Sequence, residues 1–163
     1  MSTSGVVAFA FGSPKTIRSN LLIGEIASEC ARALVAPVFS ELNVPFVSGI
    51  DVTLTEEVPG SPPPTLRLAR EAVRWAVVRG INILHVAAAE PHLWRCLRDL
   101  VGAVLEAKMD IRIAACERIS RHPRTVWFCP ESEQIYTASA HEWEKRERIL
   151  RLMPLVLYKV IAS

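Results

Sequence analysis

The sequence predicts a three-layer, Rossmann-like α/β sandwich with a mostly parallel sheet. Three observations carry that expectation. Val6–Phe11 is a continuous apolar run, the mark of a strand covered on both faces, and Ile81–Ala89 reads as a further strand. Each is followed closely by an amphipathic helical pattern, and the alternation of strand and helix continues along the chain without an internal repeat. At 163 residues, a single domain spanning 1–163 buries roughly 70% of the surface its unfolded chain exposes, so the fold requires no metal or disulfide to hold it.

The first strand ends at Gly12-Ser13-Pro14. A helix is expected from Thr16, with Ile23, Ile26, Ala27, Cys30 and Leu34 on one face and Glu25, Glu29 and Arg32 on the other, until Pro37 stops it. A second strand is expected between Val44 and Glu57, where Val52-Thr53-Leu54-Thr55 favours extended backbone. Val58-Pro59-Gly60-Ser61-Pro62-Pro63-Pro64 reads as a stiff loop, because proline fixes φ and removes backbone donors. Thr65 is expected to cap the next helix, which turns Leu66, Ala69, Val73 and Val77 inward and closes at Gly80.

Ile81–Ala89 is the third strand. Pro91 suits the first turn of the helix behind it, whose buried stripe is Leu93, Leu97, Leu100 and Val104. Ile111–Cys116 and Thr125–Cys129 are two further strand candidates. Ser139 and Glu142 have capping-box spacing and open a charged last helix that carries Trp143 and Leu150 inward.

Composition bounds the function. Half the residues are hydrophobic, 22% are charged and the net charge is +2, so neither a nucleic-acid partner nor membrane insertion is expected. No apolar run approaches the roughly 18–20 residues of a membrane span. Cys30, Cys96, Cys116 and Cys129 are widely spaced beside apolar segments, which suits free thiols in a reducing cytoplasm better than bridges or zinc ligands, and no metal site is expected.

In an open parallel α/β sheet, ligands bind at the carboxyl edge, where loops and helix N-termini converge. Gly12, Ser13 and Lys15 offer a flexible turn, a hydroxyl and a cation to an anion there, although P-loop and GxGxxG patterns are both missing. At the third strand's end, Pro91 puts His92 in the first helical turn, where the dipole keeps imidazole neutral and competent for proton transfer. Arg95, one turn on, can fork onto phosphate or carboxylate, unless it forms an ordinary helix ion pair with Asp99. Glu56 or Glu57, an even choice in which Glu57 is taken as the candidate, is expected to orient His92 or a substrate hydroxyl, and Thr65 to offer a hydroxyl. His85, between Leu84 and Val86, reads as a core histidine.

The order Asn43-Val44-Pro45, Glu57, Pro64-Thr65, Ala69, Gly80, strand, His92 and Arg95 resembles the YdcF-like family of bacterial α/β domains. Trp143–Arg148 before an apolar Leu155–Val160 segment is similar to that family's ending. The resemblance implies a Rossmann-like sheet with a crevice for a small polar or anionic molecule, and in some members a link to envelope biogenesis or S-adenosylmethionine. Two classes of function remain open at this point. In one, a hydrolase or transferase acts on a phosphorylated or nucleotide-like substrate, with His92 as acid or base, Glu57 orienting, and Arg95 and Lys15 on the anionic oxygens; its cofactor is unknown. In the other, the chain is a non-catalytic metabolite-binding module or a homo-oligomeric assembly subunit, with Trp94, Trp127 or Met153–Val160 as its contact surface.

Overall fold

The computed structural model describes residues 3–57 and 64–162. Five strands form one sheet: β1 (Ser4–Ala8), β2 (Val38–Ser40), β3 (Val52–Leu54), β4 (Ile83–Ala87) and β5 (Arg112–Ala115). Their order is β3-β2-β1-β4-β5 and every neighbouring pair is parallel. The long helices are α1 (Arg18–Leu34), α2 (Thr65–Val78) and α3 (Glu90–Ala107). The chain then runs through two 3-10 turns, Glu117–Arg121 and Arg124–Trp127, into α4 (Ile135–Ala138), α5 (Ala140–Leu152) and α6 (Leu155–Ile161).

The expected sandwich is present, and side-chain alternation along β1 shows how its layers form. Val7 and Phe9 face a core built with α2 and α3 through Leu68, Ala72, Trp75, Cys96 and Leu100. Val6, Ala8 and Phe11 face the other core, with Ile23, Ile26 and Ala27 of α1 and with Trp127 and Trp143. Period-two alternation sends successive residues to opposite faces, so one apolar strand serves both layers. The chain travels outward from β1 to β3, then returns to place β4 on β1's other side. Beyond their carboxyl ends lies a topological switch point, with α1 and α3 diverging to opposite faces.

Several local expectations are corrected. Val38–Ser40, not anticipated, is the strand beside β1, and the anticipated Val52–Leu54 strand is at the sheet edge. Thr125–Cys129 is not a strand: Pro123 and Pro130 flank it, and a 3-10 turn buries Trp127 completely, which also removes Trp127 as a contact surface. The first helix begins at Arg18, not Thr16, and Thr65 is the first residue of α2 behind Pro64 without a side-chain cap. Ser139 does cap α5, accepting from the Glu142 amide at 3.3 Å. His85 is half-buried rather than core; on its face Ile83 is also half-buried and Ala87 fully buried, so cover thickens toward the carboxyl end. The expected proline-rich loop falls on residues 58–63 and lies outside the described residues. Among the described residues, no helix is long and apolar enough to cross a membrane.

Candidate functional site

A cavity of about 470 Å³ opens at the switch point, a volume suited to a small-molecule ligand. The β1 loop contributes Ala10 to Ser13, β2's end contributes Glu41, α2's start Thr65, α3's first turns His92 and Arg95, and the last three helices Tyr136, Trp143, Arg146 and Tyr158. Ser13 and His92, distant in sequence, therefore share one wall.

The β1 loop is held by side chains of α1. Asn20 accepts from the Phe11 amide at 2.8 Å and donates to the Gly12 carbonyl at 3.0 Å, while Ser19 donates to the Phe11 carbonyl at 2.9 Å. Gly12 has φ +96°, and a Cβ there would lie 2.5 Å from Ser132 Oγ and 2.6 Å from Thr137 Oγ1, so only glycine fits. The loop's donors are already engaged: Ser13 Oγ donates to Glu133 Oε2 at 3.1 Å and its amide points to Ser132 Oγ. Lys15 is exposed and outside the cavity wall. The expectation that Lys15 reaches the site is corrected, because the chain between Pro14 and Ile17 faces solvent.

His92 is 6% exposed and packs among Phe9, Phe11 and Trp143, with ring centroids 5.4 Å from Trp143 and 6.1 Å from Phe11. Its Nε2 lies 3.3 Å from Thr65 Oγ1, and its Nδ1 has no hydrogen-bond partner among the described residues. Burial, reinforced by the Arg95 and Arg146 charges, holds its pKa well below the usual imidazole value. The histidine is thus neutral, as expected, although burial rather than helix position is the main reason.

Arg95 does not pair with Asp99. It meets Glu147 of α5 at 3.1 Å, both residues being about 5% exposed, and its guanidinium lies over the Trp143 ring. Its Nε has no hydrogen-bond partner among the described residues. Asp99 instead takes Arg98 at 2.9 Å and the Tyr158 hydroxyl, pinning α6 against α3. Trp143 Nε1 donates to the Pro91 carbonyl at 3.2 Å, which fastens α5 to the start of α3.

Glu57 is the half-buried member of its pair and Glu56 the exposed one. Glu57 is nevertheless outside the cavity wall; it accepts from the Leu42 amide at 2.7 Å and so braces the turn after β2. The buried carboxyl group in the wall is instead Glu41, which accepts from the Ala10 amide at 3.2 Å; Glu133, also in the wall, is exposed. Burial, with the Glu57 charge adding to it, pushes its pKa up to about 8, so at neutral pH it is chiefly a protonated acid.

Glu41 was missed because it follows a three-residue strand that no periodicity reveals. Arg146 was missed because its alternating-sign helix reads as a solvated face. It is stacked over Tyr136 at 4.3 Å, and burial together with the Arg95 charge lowers its pKa.

Fold and cavity together define a class: an α/β protein with helices on both faces of a parallel sheet and a polar crevice at its switch point. No protein-family model and no curated protein matches the chain.

Proposed function

We propose that the chain binds a small anionic or nucleotide-like molecule in the switch-point cavity. The observation carrying this reading is a pair of incompletely satisfied buried groups: His92 and Arg95 line the cavity, and among the described residues His92 Nδ1 and Arg95 Nε lack partners. A buried polar atom without a partner costs about 1–3 kcal/mol, a cost a bound ligand relieves. The ligand type is also the one implied by the resemblance to the YdcF-like family.

A neutral imidazole and a protonated carboxyl in one cavity wall further support acid–base chemistry, with His92 as proton acceptor and Glu41 as proton donor in a hydrolase or transferase. The guanidiniums would stabilise charge developing on the ligand's oxygens. A cytoplasmic setting fits the four free thiols.

Thermal denaturation with a panel of mononucleotides and sugar phosphates tests the reading. At least one member is expected to raise the midpoint of the wild type by several degrees and that of Arg95→Gln by less. His92→Gln retaining binding but losing turnover supports the enzyme; no turnover by either form leaves a binding module. A panel that shifts neither protein overturns the assignment.

A further inference from the structure

The cavity presents two guanidiniums on different helices, Arg95 from α3 and Arg146 from α5. Arg95 has Glu147 as its partner, whereas Arg146 makes no ion pair among the described residues and lies against the Tyr136 ring. With His92 neutral and Glu41 protonated, the inner wall keeps more positive than negative charge. Glu133, the remaining carboxylate of the wall, is exposed and engaged with Ser13.

We infer that Arg95 and Arg146 form a phosphomonoester subsite, selecting a tetrahedral phosphate over a carboxylate on a molecule of similar size. The inference rests on the anion-binding reading above and narrows it. A carboxylate is planar, and one guanidinium fork satisfies its two oxygens. A phosphate has three terminal oxygens and close to two negative charges near neutral pH, so it gains from donors arriving in different directions.

The wall supplies such donors: the Arg146 fork, the Thr65 hydroxyl and the Glu41 acid proton come from three separate elements, with the Arg95 charge in the same wall. A dianion also relieves the mutual repulsion by which the Arg95 charge helps lower the Arg146 pKa. Arg146 is the specificity-determining residue, because Arg95 is already partly neutralised by Glu147.

Isothermal titration calorimetry on the full chain tests this, using ribose 5-phosphate and, as its carboxylate counterpart, gluconate. The phosphate is expected to bind at least tenfold more tightly. Arg146→Gln should erase most of that preference, while Arg146→Lys, which keeps the charge and loses the fork, should fall between. Circular dichroism of each variant confirms folding, and the lysine variant serves if the glutamine one does not fold. Equal affinity for the two ligands, or a preference unchanged in the folded variants, overturns the phosphate subsite while leaving the anion cavity standing. If neither compound, nor inorganic phosphate, binds the wild type, the anion-binding reading falls and the subsite with it.

Discussion

Arg95 Nη1 and Glu147 Oε1 meet at 3.1 Å with both side chains almost wholly out of water, so a residue near the sheet's carboxyl edge is tied to one on α5, more than fifty positions away. Through this contact the C-terminal helices become part of the cavity rather than an appendage. Removing one partner strands a buried charge, which costs about 3–5 kcal/mol, whereas replacing both with apolar residues can be nearly neutral. Arg95→Met is therefore expected to be strongly destabilised in urea unfolding, and the double variant Arg95→Met/Glu147→Leu to recover much of the loss. A double variant as unstable as the sum of its singles contradicts a coupled buried pair.

Glu41 makes stability fall as pH rises from the acid range toward about 8. Its folded pKa of about 8 lies above the unfolded value, so the native state keeps a proton that the unfolded chain releases. Its contribution is full below about pH 4 and is lost as pH rises toward about 8, with a slope near 1.4 kcal/mol per pH unit. Glu41→Gln keeps an acceptor for the Ala10 amide and has no proton to lose. Its stability advantage over the wild type should grow between about pH 5 and 8; a constant difference across that range would show that Glu41 is not held protonated.

His92 acts in the opposite direction. Because its folded pKa is depressed, it favours the native state above the unfolded value of about 6.5, and that contribution is lost as pH falls below it. The wild type should weaken relative to His92→Gln between about pH 6.5 and 5, again by up to about 1.4 kcal/mol per unit. Direct NMR titration of the imidazole gives an independent reading, and a His92 that titrates near 6.5 would refute its neutral burial.

Gly24 secures the turn behind Glu41. A Cβ at this position of α1 would lie 1.9 Å from the Pro45 carbonyl oxygen, a backbone atom that cannot swing aside. Gly24→Ala is expected to cost about 1–3 kcal/mol despite alanine's better helix propensity. Chemical denaturation measures it, and a neutral or stabilising result would mean that α1 and the Asn43–Pro45 turn are less closely packed than described.

Tyr158 fixes α6 on the cavity. Its hydroxyl donates to the buried Asp99 carboxylate, and the Arg98 guanidinium lies 3.9 Å from its ring centroid. Tyr158→Phe leaves Asp99 with one donor fewer, at a cost of about 1–3 kcal/mol. Faster amide exchange confined to α6 is the expected signature; unchanged exchange there would assign the anchoring to other contacts.

Much of the architecture was legible in the residues because the relevant patterns are local. Val6–Phe11 and Ile81–Ala89 advertise buried strands, Ile23 to Leu34 a helix, and Gly80 the end of the helix after it. The same logic points to the carboxyl edge for His92 and Arg95, and the fold brings them to the cavity with Gly12, Ser13 and Thr65. Val38–Ser40 was not legible, since three residues are too few to show a period, and with it went Glu41.

Direction and partnership needed the folded chain. Lys15 and Glu57 have suitable chemistry beside the right strands, but packing turns one to solvent and commits the other to the Leu42 amide. Arg146 and Trp143 enter the cavity only because α5 folds back onto α3, a contact between distant segments that no window of sequence contains. Periodicity reports which face of an element is apolar; which polar groups converge depends on how those faces dock, and that docking sets the burial on which the charge states of His92 and Glu41 rest.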